Sequence, residues 1–241
     1  MIKAAKTTRH RGRAFLFDLD GTLVDSVYEH TLAWRDALES EGISLPAASI
    51  HRCIGMSGKV LMQAFEREAG KTFSFQKIEH LNRLHANYFK KRSKQIRPLP
   101  GAHDLLQNLS SLKVPWAIAT SGKMKDAHHP LAMLKLGAEI TVVTSDEVEH
   151  AKPEPDLFLV AAEKLKVEME DCIVVGDSIW DLLGAQRARA LGVGLLCGGS
   201  GQCELERAGA YRVYRDPADL LVHLNEVGVL TRRRCNEPQT P

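Results

Sequence analysis

RAFLFDLDGTLVDS, residues 13–26, places a run of four apolar residues directly before three aspartates and a glycine. The apolar run has the length of a short strand, and consecutive apolar positions are typical of a strand that helices cover on both faces. The aspartates are Asp18, Asp20 and Asp25. The stretch therefore predicts a buried parallel strand whose carboxyl end carries acidic side chains.

Four further apolar runs repeat this pattern along the chain. They occupy residues 116–120, 139–145, 172–177 and 192–197. The stretches between them are long enough for crossover helices, as at residues 155–166 and 179–191. Strands that alternate with helices predict an α/β fold with a doubly wound parallel sheet.

The interval from residue 24 to residue 97 breaks this alternation. It contains no strand signal, and its apolar residues recur at helical spacing. Three helices are predicted there. Gly42 would close the first, Ser57 would cap the start of the second, Gly70 would end the second, and the third would be long. The interval predicts an all-helical insertion directly after the acidic stretch.

These patterns predict a core domain, an inserted domain and two terminal segments. The predicted α/β core comprises residues 13–23 and 98–230, the predicted helical domain comprises residues 24–97, and residues 1–12 and 231–241 are predicted to be disordered tails.

The composition is that of an ordinary soluble globular protein, with 241 residues, 44% of them hydrophobic and 26% charged. The net charge of +2 gives no argument for a nucleic-acid or membrane partner. No apolar run approaches the ~18 residues that a membrane span needs. The five cysteines are odd in number and form no CxxC pair, which predicts a reduced, cytoplasmic protein.

Chemistry-bearing side chains follow the predicted strands, and ligands of open parallel sheets bind beyond the carboxyl ends of the strands. Neighbouring carboxylates repel one another unless a cation lies between them, and hard oxygen ligands suit Mg²⁺. A lysine beside them favours phosphate, and hydroxyls with glycine N–H groups complete an anion cradle. These residues predict a Mg²⁺-dependent phosphoryl-transfer site; they are Asp18, Asp20, Thr120, Ser121, Gly122, Lys152, Asp177 and Asp181.

Four stretches together resemble the motifs of the haloacid dehalogenase (HAD) superfamily, in that family's order. They are FDLDGTLVDS (17–26), ATSG (119–122), AKPEPDLF (151–158) and GDSIWD (176–181). The helical insert resembles the small cap of a subclass that includes phosphoglycolate phosphatases, sugar phosphatases and β-phosphoglucomutase. The resemblance implies a Rossmann-like core with an inserted cap, and a Mg²⁺-dependent phosphatase acting on a small phosphorylated metabolite, as a monomer or homodimer.

The resemblance also implies a role for each site residue. Asp18 would attack phosphorus, form an aspartyl-phosphate and bind the metal. Asp20 would be the general acid and then the base, with its backbone carbonyl on Mg²⁺. Asp177 would bind Mg²⁺ through its side chain, with Asp181 just outside the ligand set. Lys152 would balance the charge between nucleophile and phosphate.

The resemblance also implies residues that contact the substrate and, for Asp25, a structural role. Thr120 would hydrogen-bond the phosphoryl oxygens beside Ser121 and Gly122, and Gly21 would let the chain turn away under the phosphate. Asp25 would cap the first helix of the insert or fix the hinge there.

A hexose phosphomutase is the alternative activity, and a non-catalytic HAD-like binding protein is a third. His30 falls where the mutase carries a cap histidine. The segment at residues 54–61 resembles the mutase's substrate-sensing loop, but Gly58 stands where the mutase has an arginine, with Lys59 beside it. His30 and Lys59 are therefore predicted to contact substrate, and the missing arginine favours the phosphatase.

Overall fold

The computed structural model describes residues 13–137 and 140–229. The α-helices are α1 (Val27–Glu39), α2 (Ala47–His51), α3 (Gly58–Ala69), α4 (Phe75–Arg92), α5 (Ala102–Ser111), α6 (Met124–Met133), α7 (Asp156–Leu165), α8 (Ile179–Arg187), α9 (Gln202–Arg207) and α10 (Pro217–Val222). The strands are β1 (Ala14–Phe17), β2 (Val24–Asp25), β3 (Arg97–Pro98), β4 (Trp116–Ala119), β5 (Val142–Val143), β6 (Cys172–Gly176), β7 (Leu191–Leu195) and β8 (Ala210–Tyr214). The predicted tails lie outside the described residues.

Six parallel strands form the main sheet in the order β5-β4-β1-β6-β7-β8. Strand β1 is central, with Phe17 opposite Ile118 of β4 on one side and Val175 of β6 on the other. The chain winds outward from β1 through β4 and β5, then returns and winds the other way through β6, β7 and β8. The predicted doubly wound fold is confirmed, and its topological switch point lies between β1 and β6.

Helices cover both faces of this sheet because β1 alternates its side chains between them. Phe15 and Phe17 pack in a hydrophobic cluster with α5 and α10, whereas Ala14 and Leu16 pack with α7 and α8. All four side chains are fully buried. Burial of a phenylalanine contributes roughly 1.5–3 kcal/mol, so β1 is anchored firmly at the switch point.

Helices α1 to α4 form the helical insert, which has its own hydrophobic cluster around Trp34, Leu38, Phe65 and Leu81. Ser57 caps α3 by accepting a hydrogen bond from Val60 N, as predicted. Gly70 ends the same helix in the left-handed region at φ +61°. The structure adds the five-residue α2, which sequence periodicity did not indicate.

The insert joins the core through a two-stranded antiparallel ribbon, with Val24 opposite Pro98 and Asp25 opposite Arg97. Ser26 occupies the N-cap position of α1. The prediction that Asp25 caps α1 is therefore wrong, because Asp25 lies one residue earlier, exposed in β2. Its place in the connecting ribbon agrees with the alternative, a role at the hinge.

Strand boundaries differ from prediction at two edges of the sheet. The predicted run 139–145 yields only Val142–Val143, and β8 was not predicted because its residues are mostly half-exposed or exposed. Within the part of the chain that the structure describes, no helix combines the length and apolarity needed to cross a membrane.

Candidate active site

Three buried carboxylates meet where β1 and β6 end. Asp18 follows β1 and Asp177 follows β6, while Asp181 lies in the first turn of α8. One oxygen from each lies within 4.8 Å of the other two. The backbone fixes this position, because Asp18 N donates to Val175 O at 2.9 Å. The structure thus brings together three carboxylates that the sequence placed beyond the ends of separate strands.

The acidic cluster contains three carboxyl groups, and a single lysine within the described part of the chain contacts it. Burial, helped by Asp181 and Asp20, raises the pKa of Asp18 to about 7, although Lys152 opposes this. Burial also raises the pKa of Asp177 well above its ordinary value, and Asp18 and Asp181 add to the effect. Buried carboxylates that repel one another form a donor set that fits a metal cation.

Lys152 supplies the one cation in contact with this cluster among the described residues. Its side chain is fully buried, and Nζ contacts Asp18 Oδ1 and lies 2.8 Å from Asp181 Oδ1. Burial alone would lower the pKa of Lys152, but the two carboxylates raise it above its ordinary value. The side chain therefore remains an ammonium and holds the Asp18 carboxylate in place.

Asp20 faces the insert. Its Oδ1 accepts a hydrogen bond from Ser26 Oγ at 2.5 Å and lies 3.4 Å from His30 Nε2. Burial opposes ionisation, but the contacts with His30 and Ser26 outweigh it and lower the pKa of Asp20. In this arrangement Asp20 is an ionised carboxylate.

Gly21 and Gly198 give the Asp177 carboxylate its space. Gly21 turns the chain at φ +87°, and a Cβ there would lie 2.5 Å from Asp177 Oδ2. A Cβ at position 198 would lie only 1.7 Å from the same oxygen. Thr22 Oγ1 donates to Asp177 Oδ1 at 2.9 Å. Gly21 thus lies against the Asp177 carboxylate of the acidic cluster, and sequence reasoning missed Thr22 and Gly198.

The residues after β4 form the opposite side of the site. Thr120 is buried, and its Oγ1 accepts a hydrogen bond from Gly122 N at 3.1 Å. Ser121 Oγ donates to the Gly55 carbonyl of the insert at 2.9 Å. The Ser121 hydroxyl hydrogen is therefore used to contact the insert, while the hydrogen of Thr120 has no such protein acceptor among the described residues.

The site opens into a cavity of about 840 Å³ between the sheet and the insert. Asp18, Asp20 and Thr120 line its lower wall. His30 and Lys59, which the sequence assigned to substrate, line the upper wall together with Gly58. The structure adds polar residues that sequence reasoning missed, which are Gln63, Glu66, Glu79, Asn82, Arg83, His85, Lys123, Lys125, Asp126 and Ser145. The helical spacing of α4 gave no indication which of its faces would turn towards the site.

Hydrogen bonds join a loop of the insert, residues 52–57, to the core beside the site. Ser57 N donates to Lys152 O at 2.8 Å, and Trp180 Nε1 donates to Arg52 O at 3.0 Å. Gly55 O accepts from Ser121, as described above. These contacts link the insert to three of the four core loops that carry the predicted site residues.

Comparisons with known proteins match this architecture. The haloacid dehalogenase-like hydrolase family model matches residues 13–189. The chain is 35% identical to hexitol phosphatase A of Escherichia coli (strain K12) over 170 residues, covering 70% of this chain and 76% of that protein. It is 29% identical to beta-phosphoglucomutase of Bacillus subtilis (strain 168) over 219 residues, covering 88% of this chain and 93% of that protein.

A solved structure is similar over the same region. The crystal structure of a hydrolase from Pseudomonas syringae superposes with a TM-score of 0.88 and is 48% identical, covering 90% of this chain and 100% of that chain. The similarity includes the helical insert as well as the sheet.

Proposed function

Because this chain belongs to the haloacid dehalogenase-like hydrolase family and is a phosphoric monoester hydrolase of that family, we propose that it hydrolyses a sugar or polyol phosphate with Mg²⁺ as its cofactor. The observation that carries this proposal is the buried contact of Asp18 with Lys152 inside an acidic cluster at the switch point. The cavity above it, about 840 Å³, supports a hexose-sized substrate. Phosphoglycolate would leave most of that space to water.

The metal would be held on the acidic side of the site. Asp18 and Asp177 would bind it through side-chain oxygens and Asp20 through its backbone carbonyl, with Asp181 beside them. Hard oxygen donors and an open side towards the cavity favour Mg²⁺ over softer metals. When bound, the ion would offset the repulsion among these carboxylates and the charge of the phosphate.

Asp18 would be the nucleophile. The carboxylate oxygen that does not bind the metal would attack phosphorus, a bond from Asp18 to phosphorus would form, and the bond from phosphorus to the alcohol oxygen would break. The Lys152 ammonium favours the ionised form of Asp18 before the attack and orients its carboxylate. The Thr120 hydroxyl would donate to a phosphoryl oxygen. Water then hydrolyses the aspartyl-phosphate and releases inorganic phosphate.

Asp20 would protonate the departing alcohol oxygen and later accept a proton from the attacking water. Contacts with His30 and Ser26 lower the pKa of Asp20, so without substrate its carboxyl group is ionised and has no proton to donate. A phosphate dianion beside Asp20 raises the proton affinity of its carboxyl group, because like charges disfavour ionisation. The proton would therefore be acquired in the substrate complex.

The test is phosphate release from a panel of sugar and hexitol phosphates in Mg²⁺. We expect release with several six-carbon phosphates, no release in EDTA, and a loss of at least ~10³-fold in the Asp18→Asn variant. Phosphate release that persists in EDTA or in Asp18→Asn would overturn the mechanism, and preference for phosphoglycolate would overturn the substrate class.

Phosphomutase activity is the second candidate, and one observation favours it. Arg83 of α4 lines the same cavity as Lys59, so a guanidinium is present although Gly58 occupies the expected arginine position. An arginine guanidinium can bind a second phosphate through two hydrogen bonds at once. A coupled assay for glucose 6-phosphate, starting from β-glucose 1-phosphate and primed with glucose 1,6-bisphosphate, separates the activities. We expect free phosphate rather than isomerisation.

A further inference from the structure

Two histidines of the insert form a chain of contacts that begins at Asp20. His30 lies on α1, and its Nε2 is 3.4 Å from Asp20 Oδ1. The other ring nitrogen, Nδ1, is 3.1 Å from Nε2 of His85 on α4. The chain of contacts therefore runs from a core carboxylate through one helix of the insert to another, and His85 has no assigned role.

Aromatic rings hold both imidazoles in place. Each helix contributes two rings four residues apart, which places them on one helix face. His30 stacks on Phe89 with ring centroids 3.8 Å apart, and His85 stacks on Trp34 at 4.1 Å. Both stacks are close to parallel, with interplanar angles of 10° and 11°. The stacking holds the plane of each ring, and the contacts of His30 with Asp20 and His85 place its two nitrogens within that plane.

The geometry determines which nitrogen of His30 carries hydrogen towards Asp20. A carboxylate only accepts hydrogen bonds, so His30 Nε2 must be protonated. In neutral His30 the other nitrogen then accepts, and His85 Nε2–H is the donor that it meets. Burial, together with His30, lowers the pKa of His85 well below its ordinary value, although Asp20 opposes this. His85 is thus a neutral ring that can donate to neutral His30 or accept from cationic His30.

We propose that His85 is a positioning residue that keeps the hydrogen of His30 on Nε2, so that His30 holds the Asp20 carboxylate in place at the lower wall of the cavity. This inference rests on the proposed function, because Asp20 acts there as acid and base. Without His85, neutral His30 gains the freedom to carry its hydrogen on Nδ1 and to present a lone pair to Asp20, which repels the carboxylate.

Imidazole ¹⁵N spectroscopy tests this arrangement without any reaction. In the native enzyme we expect the His30 signals of the Nε2–H tautomer, or of a doubly protonated ring. His85→Leu should shift them towards a mixture that includes the Nδ1–H tautomer, and His85→Gln, whose amide can donate or accept, should restore them. His80→Leu is the matched control, because His80 lies on the same helix but pairs with Glu41 at 2.9 Å. His30 signals unchanged by His85→Leu would overturn the inference.

Two aryl phosphates test the consequence for Asp20. p-Nitrophenolate leaves without a proton, whereas phenolate from phenyl phosphate benefits from one. In single-turnover experiments, His85→Leu should slow phosphorylation by phenyl phosphate at least ~10-fold and by p-nitrophenyl phosphate less than ~3-fold. His85→Gln should recover most of the loss, and His80→Leu should change neither rate.

The outcomes separate the two proposals. Equal slowing with both esters would show a merely structural role for His85 and reject the inference, as would failure of His85→Gln to restore the difference. If the native enzyme releases phosphate from neither these esters nor any sugar or hexitol phosphate, the proposed function fails, and the imidazole spectra alone then decide whether His85 fixes the hydrogen of His30.

Discussion

At the scale of one residue, Gly198 leaves the space that the Asp177 carboxylate occupies. A Cβ at this position would lie 1.7 Å from Asp177 Oδ2, so Gly198→Ala must push the carboxylate aside. We expect the apparent affinity for Mg²⁺ to fall by ~10–100-fold, while the fold is retained. Titration of activity with Mg²⁺ measures the change. Gly201→Ala is the control, because the nearest atom to its Cβ is 3.9 Å away; equal effects of the two variants would contradict this account.

Lys152 should matter for stability as well as for turnover. Its fully buried ammonium pairs with Asp18 and Asp181, and Lys152→Met would leave two buried carboxylates without their cation. Breaking a buried pair in this way costs about 3–5 kcal/mol. Urea unfolding in EDTA should register a loss of that size. A loss below ~1 kcal/mol would mean that the carboxylates are protonated or solvated and that Lys152 does not hold Asp18.

At the scale of elements, the loop at residues 52–57 couples the insert to the core. Ser121→Ala removes the hydrogen bond to Gly55 O. We expect faster amide hydrogen exchange in this loop and less than a ~10-fold change in kcat. Thr120→Val should instead reduce kcat/KM by ~10²-fold or more, because the Thr120 hydroxyl hydrogen is available to donate to phosphate. If Ser121→Ala causes the larger kinetic loss, Ser121 binds phosphate directly.

The sequence predicted the inner strands well because burial on both faces imposes consecutive apolar residues. β1 and β6 are fully buried, and the site residues that follow them were found with them. β8 escaped prediction because an edge strand keeps exposed residues such as Tyr211 and Arg212. Fewer positions of an edge strand are buried, so the pattern of apolar residues that predicts a strand is weak there.

The residues that α4 contributes to the upper wall of the cavity were not predicted, for a different reason. Which face of α4 turns towards Asp20 depends on how α4 packs against α1, and helical periodicity does not specify the partner. His85 therefore looks like any helix histidine in the sequence, although it meets His30, 55 positions away, at 3.1 Å. Thr22 lay within a recognised motif, but only the structure shows that it donates to Asp177.

At the scale of the whole molecule, the acidic cluster should make the metal-free protein less stable as the pH rises. Asp18 has a folded-state pKa of about 7, and that of Asp177 is also raised, whereas unfolded aspartates titrate near ~3.9. Between about pH 4 and 7 the folded state therefore binds more protons than the unfolded state, so stability falls as pH increases. His85 acts in the opposite direction up to about pH 6.5, because its folded-state pKa is lowered.

Comparison with Asp177→Asn isolates the contribution of the cluster, because His85 is unchanged in both proteins. In EDTA we expect the variant to be more stable than the native protein at pH 7.5 by at least ~1 kcal/mol, since each unit of pKa shift corresponds to about 1.4 kcal/mol. The difference should shrink towards pH 4.5, where the native carboxyl group is protonated in the folded state. Saturating Mg²⁺ at pH 7.5 should stabilise the native protein more than the variant, because only the native site keeps both carboxylate ligands. Thermal unfolding at a series of pH values, with and without Mg²⁺, measures all three. A variant less stable than the native protein in EDTA at every pH would mean that Asp177 contributes more through its hydrogen bond with Thr22 than it costs through repulsion.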